Sequence, residues 1–494
     1  MDTSPRSEQK NHLLDTIRNY HERTALMEPS PEQWHQWMDE VHAYTESFIQ
    51  KTDTGKAYQQ RITDPLHHTP WSFHLDDEGT LLSEVLRELE QDVDQPGINP
   101  ASGGHLGYIP GGGVLPAALG DLLAAVTNRY AGIAFANPGA VALEHFLIDW
   151  MATLFDMPST TGGNLTSGGS IANLIAITTA RDARQVRPSD YERLVIYGSA
   201  RMHHCLHKAL RIAGLGYSLL REVDLDERQR IRPDHLRDLI TTDRAEGRIP
   251  FMIIGSAGTT DTGSIDPLDD LADIAAREQL WFHIDAAYGG FFYMVPELRP
   301  ALSGIHRADS LVIDPHKGLF LPYGTGAVLV RDIQQLYASQ YYQANYMQDA
   351  NQANLGWSPA DLSPELTKHF RGLRMYLALK LFGTRVFSDA LAEKAALCQY
   401  FHLAVQDLGF AVGPTPQLSV THFRWAPPGQ DHNRINQRIM ERIHADGRVF
   451  LSSTTIDGQV WIRLAVLSFR TKLRHIEATL DLLREIAEDL PENE

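Results

Sequence analysis

Residues 310–330 read SLVIDPHKGLFLPYGTGAVLV, and the fold can be worked out from this stretch. Leu311, Val312 and Ile313 form an unbroken apolar run of strand length, and Lys317 stands just beyond it. Gly318, Gly324 and Gly326 follow and leave room beside the lysine. Upstream, Leu194–Tyr197, Phe251–Ile254 and Trp281–Ile284 are further runs of the same kind, separated by amphipathic helical stretches. Continuous rather than alternating hydrophobicity implies strands covered on both faces, which is the pattern of a mainly parallel α/β sheet with helices on either side. In such sheets ligands bind at the carboxyl ends of the strands, where Lys317 is placed.

This pattern runs from about residue 115 to 375. Beyond it come a helical stretch, strand-like segments around Val460–Leu464 and a last helix from about His475, which together read as a smaller α+β domain. Before it the chain reads as helices and irregular connections. Ser30-Pro31-Glu32-Gln33 has the form of a capping box with proline at the first helical position. Trp34, Trp37, Met38, Val41 and Phe48 then recur at helical spacing, as a face that packs on something. The expected division is a helical N-terminal segment over 1–114, a large domain over 115–375 and a small C-terminal domain over 376–494. Residues 331–360, rich in Gln, Asn, Tyr and Ala, read as a functional loop.

The composition narrows the function. Sixty-two acidic against 44 basic side chains leave a net charge of −18, which repels nucleic acid and anionic membranes. Cys205 and Cys398 are the only cysteines, so neither a disulfide framework nor a cysteine-based zinc site is expected, and a reducing cytoplasm fits. The opening residues are polar and mixed in charge, unlike a secretory signal, and no apolar run reaches the roughly 18 residues of a membrane span.

Four elements carry chemistry. Thr166-Ser167-Gly168-Gly169-Ser170 precedes a helical run, so its backbone N–H groups and the helix dipole converge as an anion cradle, although a turn that merely starts a helix looks the same. His203 opens HHCLHKA, which reads as a surface helix start or as a ring laid over a planar cofactor. Without a distant carboxylate or histidine pair it is a poor metal motif, and no metal is expected. Asp285 ends the apolar run of WFHIDAAYGG, where a carboxylate needs a partner; a protonated ring nitrogen would serve, as would a helix cap. Lys317 is either a snorkelling surface lysine or a desolvated nucleophile.

Each element alone is ambiguous, but their order is informative. TSGGSIANL, HHCLHKA, GTTDTGSIDPL, HIDAAYGG and DPHKGLF resemble the group II PLP-dependent decarboxylases, the family of the aromatic-L-amino-acid, histidine and glutamate decarboxylases. HLGYIPGGG, LEHFLIDWM and VWIRLAVLSFRT are similar to the same family, so the resemblance runs from about residue 100 to the C-terminus. It implies the PLP-dependent transferase fold (fold type I), a seven-stranded, mostly parallel sheet, pyridoxal 5'-phosphate as cofactor, and a homodimer. It further implies that Lys317 forms the internal aldimine, Asp285 pairs with the pyridine nitrogen, Ala287 packs beneath the ring and His203 stacks above it. Gly168, Gly169 and Ser170 would hold the phosphate, with Thr260 and His316 close by. Tyr346 takes the place of the family's loop tyrosine, which helps protonate the intermediate once CO2 has left. Tyr108, Ile109 and Pro110 align with an apolar substrate pocket, and Ile133 and Phe135 would reach the partner's site.

Two positions depart from the family. Cys205 replaces the serine of its HxSxxKA pattern, and Gly318 follows the lysine where animal aromatic decarboxylases carry tryptophan. The resemblance implies decarboxylation of an L-amino acid, with an aromatic or bulky side chain favoured, to its amine. The rivals are an aldehyde synthase, in which oxygen intercepts the carbanion, and a catalytically inactive scaffold. Tyr346 favours simple decarboxylation, and retention of Lys317, Asp285 and His203 together argues against a scaffold.

Overall fold

The computed structural model describes residues 5–52, 54–60, 73–75, 77–342 and 356–490. They fall into two units, one formed by the chain up to Gly55 with Gln60–Gly97, the other by Lys56–Gln59 with the chain from Ile98 onward. Among the described residues no helix is long and apolar enough to cross a membrane.

The first unit holds helices α1 (Pro5–Thr24), α2 (Pro31–Thr52) and α3 (Leu82–Leu89). Pro31 opens α2, and Ser30 Oγ accepts a 3.2 Å hydrogen bond from the Gln33 N–H, so the helix starts where the sequence places it. Trp37, Met38 and Phe48 of the α2 stripe are half-buried, whereas Trp34 and Val41 are exposed. Lys51 Nζ lies 2.5 Å from Glu90 Oε1 within this unit.

The second unit is built on a seven-stranded sheet. Its strands are β1 (Gly162–Thr166), β2 (Leu194–Gly198), β3 (Leu219–Glu222), β4 (Ile249–Ser256), β5 (Trp281–Asp285), β6 (Ser310–Ile313) and β7 (Gly326–Val330). They lie in the order β1-β7-β6-β5-β4-β2-β3, and only β7 runs antiparallel to its neighbours. The four apolar runs of the sequence are β2, β4, β5 and β6. The runs of β1 and β3, GGNLT and LLRE, are too short of apolar residues to be legible in the same way.

Side chains of the four apolar runs are shared between two cores, one on each face of the sheet. Val195, Tyr197, Ile253, Phe282, Ile284, Leu311 and Ile313 enter one core. Their neighbours Leu194, Ile196, Met252, Ile254, Trp281 and Val312 enter the other. Both faces are covered, which is why the runs show no polar alternation. Helices α4 (Leu115–Thr127), α5 (Pro138–Leu154), α6 (Gly169–Ala183), α7 (His204–Ile212), α8 (Pro233–Ala245) and α9 (Leu268–Glu278) follow in the chain. Leu147 of α5, Leu236 of α8 and Leu271 of α9 fill the first core, while Ile175 of α6 and Leu206 of α7 fill the second.

A one-turn helix α10 (Pro315–Gly318) carries Lys317, and α11 (Ile333–Gln340) occupies the start of the 331–360 stretch. Then come α12 (Arg371–Phe382) and α13 (Thr384–Asp407). Gly120 of α4 lies so close to α12 that a side chain there would meet Arg374 Cα at 2.7 Å. Lys368 Nζ, fully buried, lies 2.7 Å from both Glu144 Oε1 and Asn164 Oδ1.

The C-terminal part is an antiparallel sheet of β8 (Ala411–Val412), β9 (Val420–Arg424), β10 (Ser452–Ile456) and β11 (Gln459–Ala465) in the order β8-β9-β11-β10. It packs with α13, α14 (His432–Asp446) and α15 (Leu473–Glu488) around Phe401, Phe423, Ile439, Ile462 and Leu483.

Candidate active site

The carboxyl ends of the parallel strands open onto one cavity of about 240 Å³. Gly168, Gly169 and Ser170 reach it from the turn between β1 and α6, and His203 from the turn between β2 and α7. Thr260 enters after β4, Asp285 and Ala287 at the end of β5, and His316 and Lys317 after β6. Every residue assigned to the cofactor from the sequence therefore lines the same space.

The cradle is built by glycines. A Cβ on Gly169 would meet Asp314 Oδ2 at 3.0 Å and the Ala287 side chain at 3.4 Å, so that turn has room only for backbone. The first N–H groups of α6 have no acceptor within the helix and, with the positive end of its dipole, favour an anion.

Asp285 is held by a chain of donors. The Trp281 indole N–H donates to Ser310 Oγ at 2.9 Å, and that hydroxyl lies 2.8 Å from His283 Nδ1. His283 Nε2 lies 2.7 Å from Asn173 Oδ1, and Asn173 Nδ2 donates to Asp285 Oδ2 at 3.4 Å. Asn173 Oδ1 can only accept, so Nε2 carries a proton, and in the neutral ring Nδ1 accepts from the Ser310 hydroxyl. Burial sets that state, pushing His283 down to about 4 against the pull of Asp285. Asp285 Oδ1 accepts from the Ala287 N–H at 3.1 Å. One pair of oxygens thus takes donors from α6 and from its own turn.

Lys317 Nζ lies 2.9 Å from Asp314 Oδ2, and only 2% of the Asp314 side chain is exposed. Burial works against the ammonium, but the charge and hydrogen bond of Asp314, with the charge of Asp285, hold Lys317 above its ordinary value. Asp314 Oδ1 is buried without a hydrogen-bond partner.

The two histidines are kept neutral. Burial, helped by the charges of Lys317 and His204, lowers His203 against Asp285 and Asp314. Its Nδ1 accepts from the Cys205 N–H at 3.3 Å. Burial likewise lowers His316, whose Nδ1 lies 2.6 Å from the Thr325 carbonyl and donates to it.

Other expected residues lie elsewhere. Tyr108, Ile109, Pro110, Ile133 and Phe135 do not line this cavity; Ile109 is buried, whereas Tyr108 and Phe135 are 58% and 56% exposed. Tyr346 lies outside the described residues. Of the departures, Cys205 lines the cavity within 3.4 Å of Asn173 Nδ2, its thiol pushed up to about 12 by burial. Gly318 faces away from it: a Cβ there would meet Phe291 Cβ at 2.6 Å, so the place of a larger side chain is taken by the Phe291 ring.

Asp314, Asn173 and Arg201 also line the cavity and were not singled out in the sequence. An aspartate three positions before a strand-end lysine was the available signal for Asp314. Asn173 and Arg201 carry no signal in a single sequence, because their roles depend on pairing across elements.

The cavity suits a flat, phosphorylated, cationic ring: a glycine-serine anion cradle, a fixed carboxylate, a buried lysine and a neutral imidazole. Residues 75–424, more than half of the chain, match the family model of the pyridoxal-dependent decarboxylase conserved domain. The chain is 30% identical to the aromatic-L-amino-acid decarboxylase of Bacillus atrophaeus over 88% of its own length and 92% of that protein's. It is 31% identical to tryptophan decarboxylase 2 of Oryza sativa subsp. japonica, over 82% and 85%. An Oryza sativa TDC solved with PLP and tryptamine superposes with a TM-score of 0.88 at 22% identity, covering 94% of this chain and 99% of that one. The mostly parallel sheet with helices on both faces is accordingly the type I fold expected from the sequence. The donor set and the sequence match lead to the same conclusion: the chain belongs to the pyridoxal-dependent decarboxylase family, with pyridoxal 5'-phosphate as its cofactor.

Proposed function

We propose that this enzyme decarboxylates an L-amino acid with an aromatic or bulky side chain to the amine and CO2, with Lys317 as the attachment point of the cofactor and Asp285 as the partner of its ring nitrogen. One observation carries the reading: Lys317 and Asp285 enter one cavity from the ends of neighbouring parallel strands, and the glycine turn lines the same cavity. Bound pyridoxal phosphate supplies an electron-poor ring that takes up the electron pair released as the carboxylate leaves.

The work of the chain is to hold and to charge. In this reading Gly168, Gly169 and Ser170 hold the phosphate, and Asp285, fixed by Asn173, keeps the proton on the ring nitrogen. Ala287 is small enough to lie beneath the ring, and neutral His203 covers the other face without competing for that proton. Thr260 and His316 close the sides. Tyr346 delivers a proton to the carbon that loses CO2 and excludes water.

Tyr108, Ile109 and Pro110 are proposed to contact the substrate side chain, with Ile133 and Phe135 serving the site of a second subunit. A homodimer is supported by α4, where Leu115, Leu119, Leu122, Leu123 and Val126 form an exposed apolar stripe at helical spacing. The three-part division at 114 and 375 and a cytoplasmic location, in keeping with two free buried cysteines, belong to the same proposal. The test is a panel of L-amino acids scored for CO2 and amine release. Aromatic substrates should lead it, and activity confined to acidic or small amino acids would overturn the substrate assignment.

A further inference from the structure

Asp314 directly follows β6 and occupies the cap position of α10, yet its side chain makes no capping hydrogen bond. Instead the carboxylate turns to Lys317, with Oδ2 at 2.9 Å from Nζ. It is wedged between Gly326, the first residue of β7, and Gly169, the first of α6. A Cβ on Gly326 would meet Oδ1 at 2.7 Å, and one on Gly169 would meet Oδ2 at 3.0 Å. Oδ1 has no hydrogen-bond partner despite being buried. A buried carboxylate so poorly supplied with donors is costly, and the cation beside it is what compensates.

We propose that Asp314 is the counter-ion of Lys317, a buried negative charge that keeps Nζ protonated before the cofactor is attached and keeps that nitrogen cationic afterwards. The proposal rests on the reading of Lys317 as the attachment lysine and adds a positioning residue to it. A nitrogen that stays cationic when bound to carbon makes that carbon the electrophile which the substrate's amine attacks, so the charge of Asp314 acts on the reaction through Lys317.

Other groups face the pair. On α10, His316 Nε2 lies 3.7 Å from Asp314 Oδ2. Asp285 of β5 and Cys205 of α7 act on Lys317, as Lys317 in turn acts on Tyr323. His203 responds to both Asp314 and Lys317, and Arg374 of α12 acts on His316. Gly169 of α6 and Gly326 of β7 bring no charge. Burial lowers both histidines, so Asp314 is the anion nearest to Nζ, and Asp285 the other.

The test is a pH titration of the visible absorbance of the bound cofactor in wild type and Asp314→Asn. Removing the charge should move the midpoint to lower pH, equivalent to at least about tenfold greater acidity of the nitrogen; coincident midpoints would overturn the proposal. Should the variant fail to fold or to retain cofactor, wild type alone decides. In the full chain stripped of cofactor, competitive labelling with acetic anhydride and peptide mapping should give Lys317 a midpoint above the ordinary lysine value of about 10.4. Burial without a counter-ion would place it below, which contradicts the proposal. Borohydride mapping separates the two ideas. An adduct on another lysine with a high Lys317 midpoint defeats the attachment reading and leaves the ion pair standing. An adduct on Lys317 with unmoved midpoints defeats the counter-ion alone.

Discussion

His283 Nε2 lies 2.7 Å from Asn173 Oδ1, which turns the amide of Asn173 so that its Nδ2 donates to Asp285. A residue on β5 thereby sets the orientation of one on α6, and through it the carboxylate that ends β5. In the neutral ring Nδ1 accepts from the Ser310 hydroxyl, and a second proton would turn it into a donor toward that oxygen.

Acid should cost the fold stability through this residue. Burial holds His283 at about 4 in the folded protein, below the unfolded value of about 6.5, so the unfolded chain takes up the proton first. The stability contributed by this histidine is complete above about pH 6.5 and is lost as pH falls toward 4, at up to about 1.4 kcal/mol per pH unit. Burial holds His105 and His422 at about 4 as well, which adds to the same slope. Melting temperatures measured between pH 7 and 5 should fall in wild type and fall less steeply in His283→Gln. Equal slopes would mean that His283 does not titrate as described.

Asp285→Asn should retain cofactor and lose turnover by more than about tenfold, since a neutral amide cannot hold the ring proton and each pKa unit is worth about 1.4 kcal/mol. Cofactor absorbance and the steady-state rate, measured on the same preparation, check both halves. Near-normal turnover would require another partner for the ring nitrogen.

These two predictions differ in how far the sequence alone could reach. Asp285 and Lys317 were legible because each follows an unbroken apolar run, and both faces of those strands are buried. The cradle was legible only through its place in the order of motifs, because a glycine-serine turn that merely starts a helix looks the same. Asn173, by contrast, sits inside α6 among residues that read as ordinary helix, and its partners His283 and Asp285 are 110 and 112 residues away. Asp314 was hidden by the proline after it, since an aspartate there also reads as a helix start. For Gly318 the sequence showed a departure from the family, and the structure adds that this glycine packs directly against Phe291. Strands β1 and β3 were missed for want of apolar residues, and β7 was not singled out although its run GAVLV is apolar.

Tyr346→Phe tests the fate of the carbanion and rests on the position of Tyr346 past Lys317, because that residue is outside the described part of the chain. Deleting the hydroxyl removes the proton donor and lets oxygen compete. Amine output should fall while aldehyde, ammonia, peroxide and oxygen uptake rise, all measured side by side with wild type. The same product at a similar rate from both proteins would leave the loop as a lid only.

Lys368→Met should destabilise the large domain by about 3–5 kcal/mol, because Glu144 would be left as an uncompensated buried charge. Chemical denaturation followed by fluorescence measures the loss. Replacing Glu144 as well, in Glu144→Leu/Lys368→Met, should recover part of it, whereas a double variant as unstable as the sum would show that the pair acts through shape rather than charge.

The central claim is that the cofactor is bound to Lys317, and the most direct measurement is borohydride reduction of the purified enzyme followed by proteolysis and mass-spectrometric mapping. The pyridoxyl adduct should appear on the peptide containing DPHKGLF, at Lys317, and should be absent from Lys317→Ala. An adduct on any other lysine, or an unchanged adduct in that variant, would contradict the account.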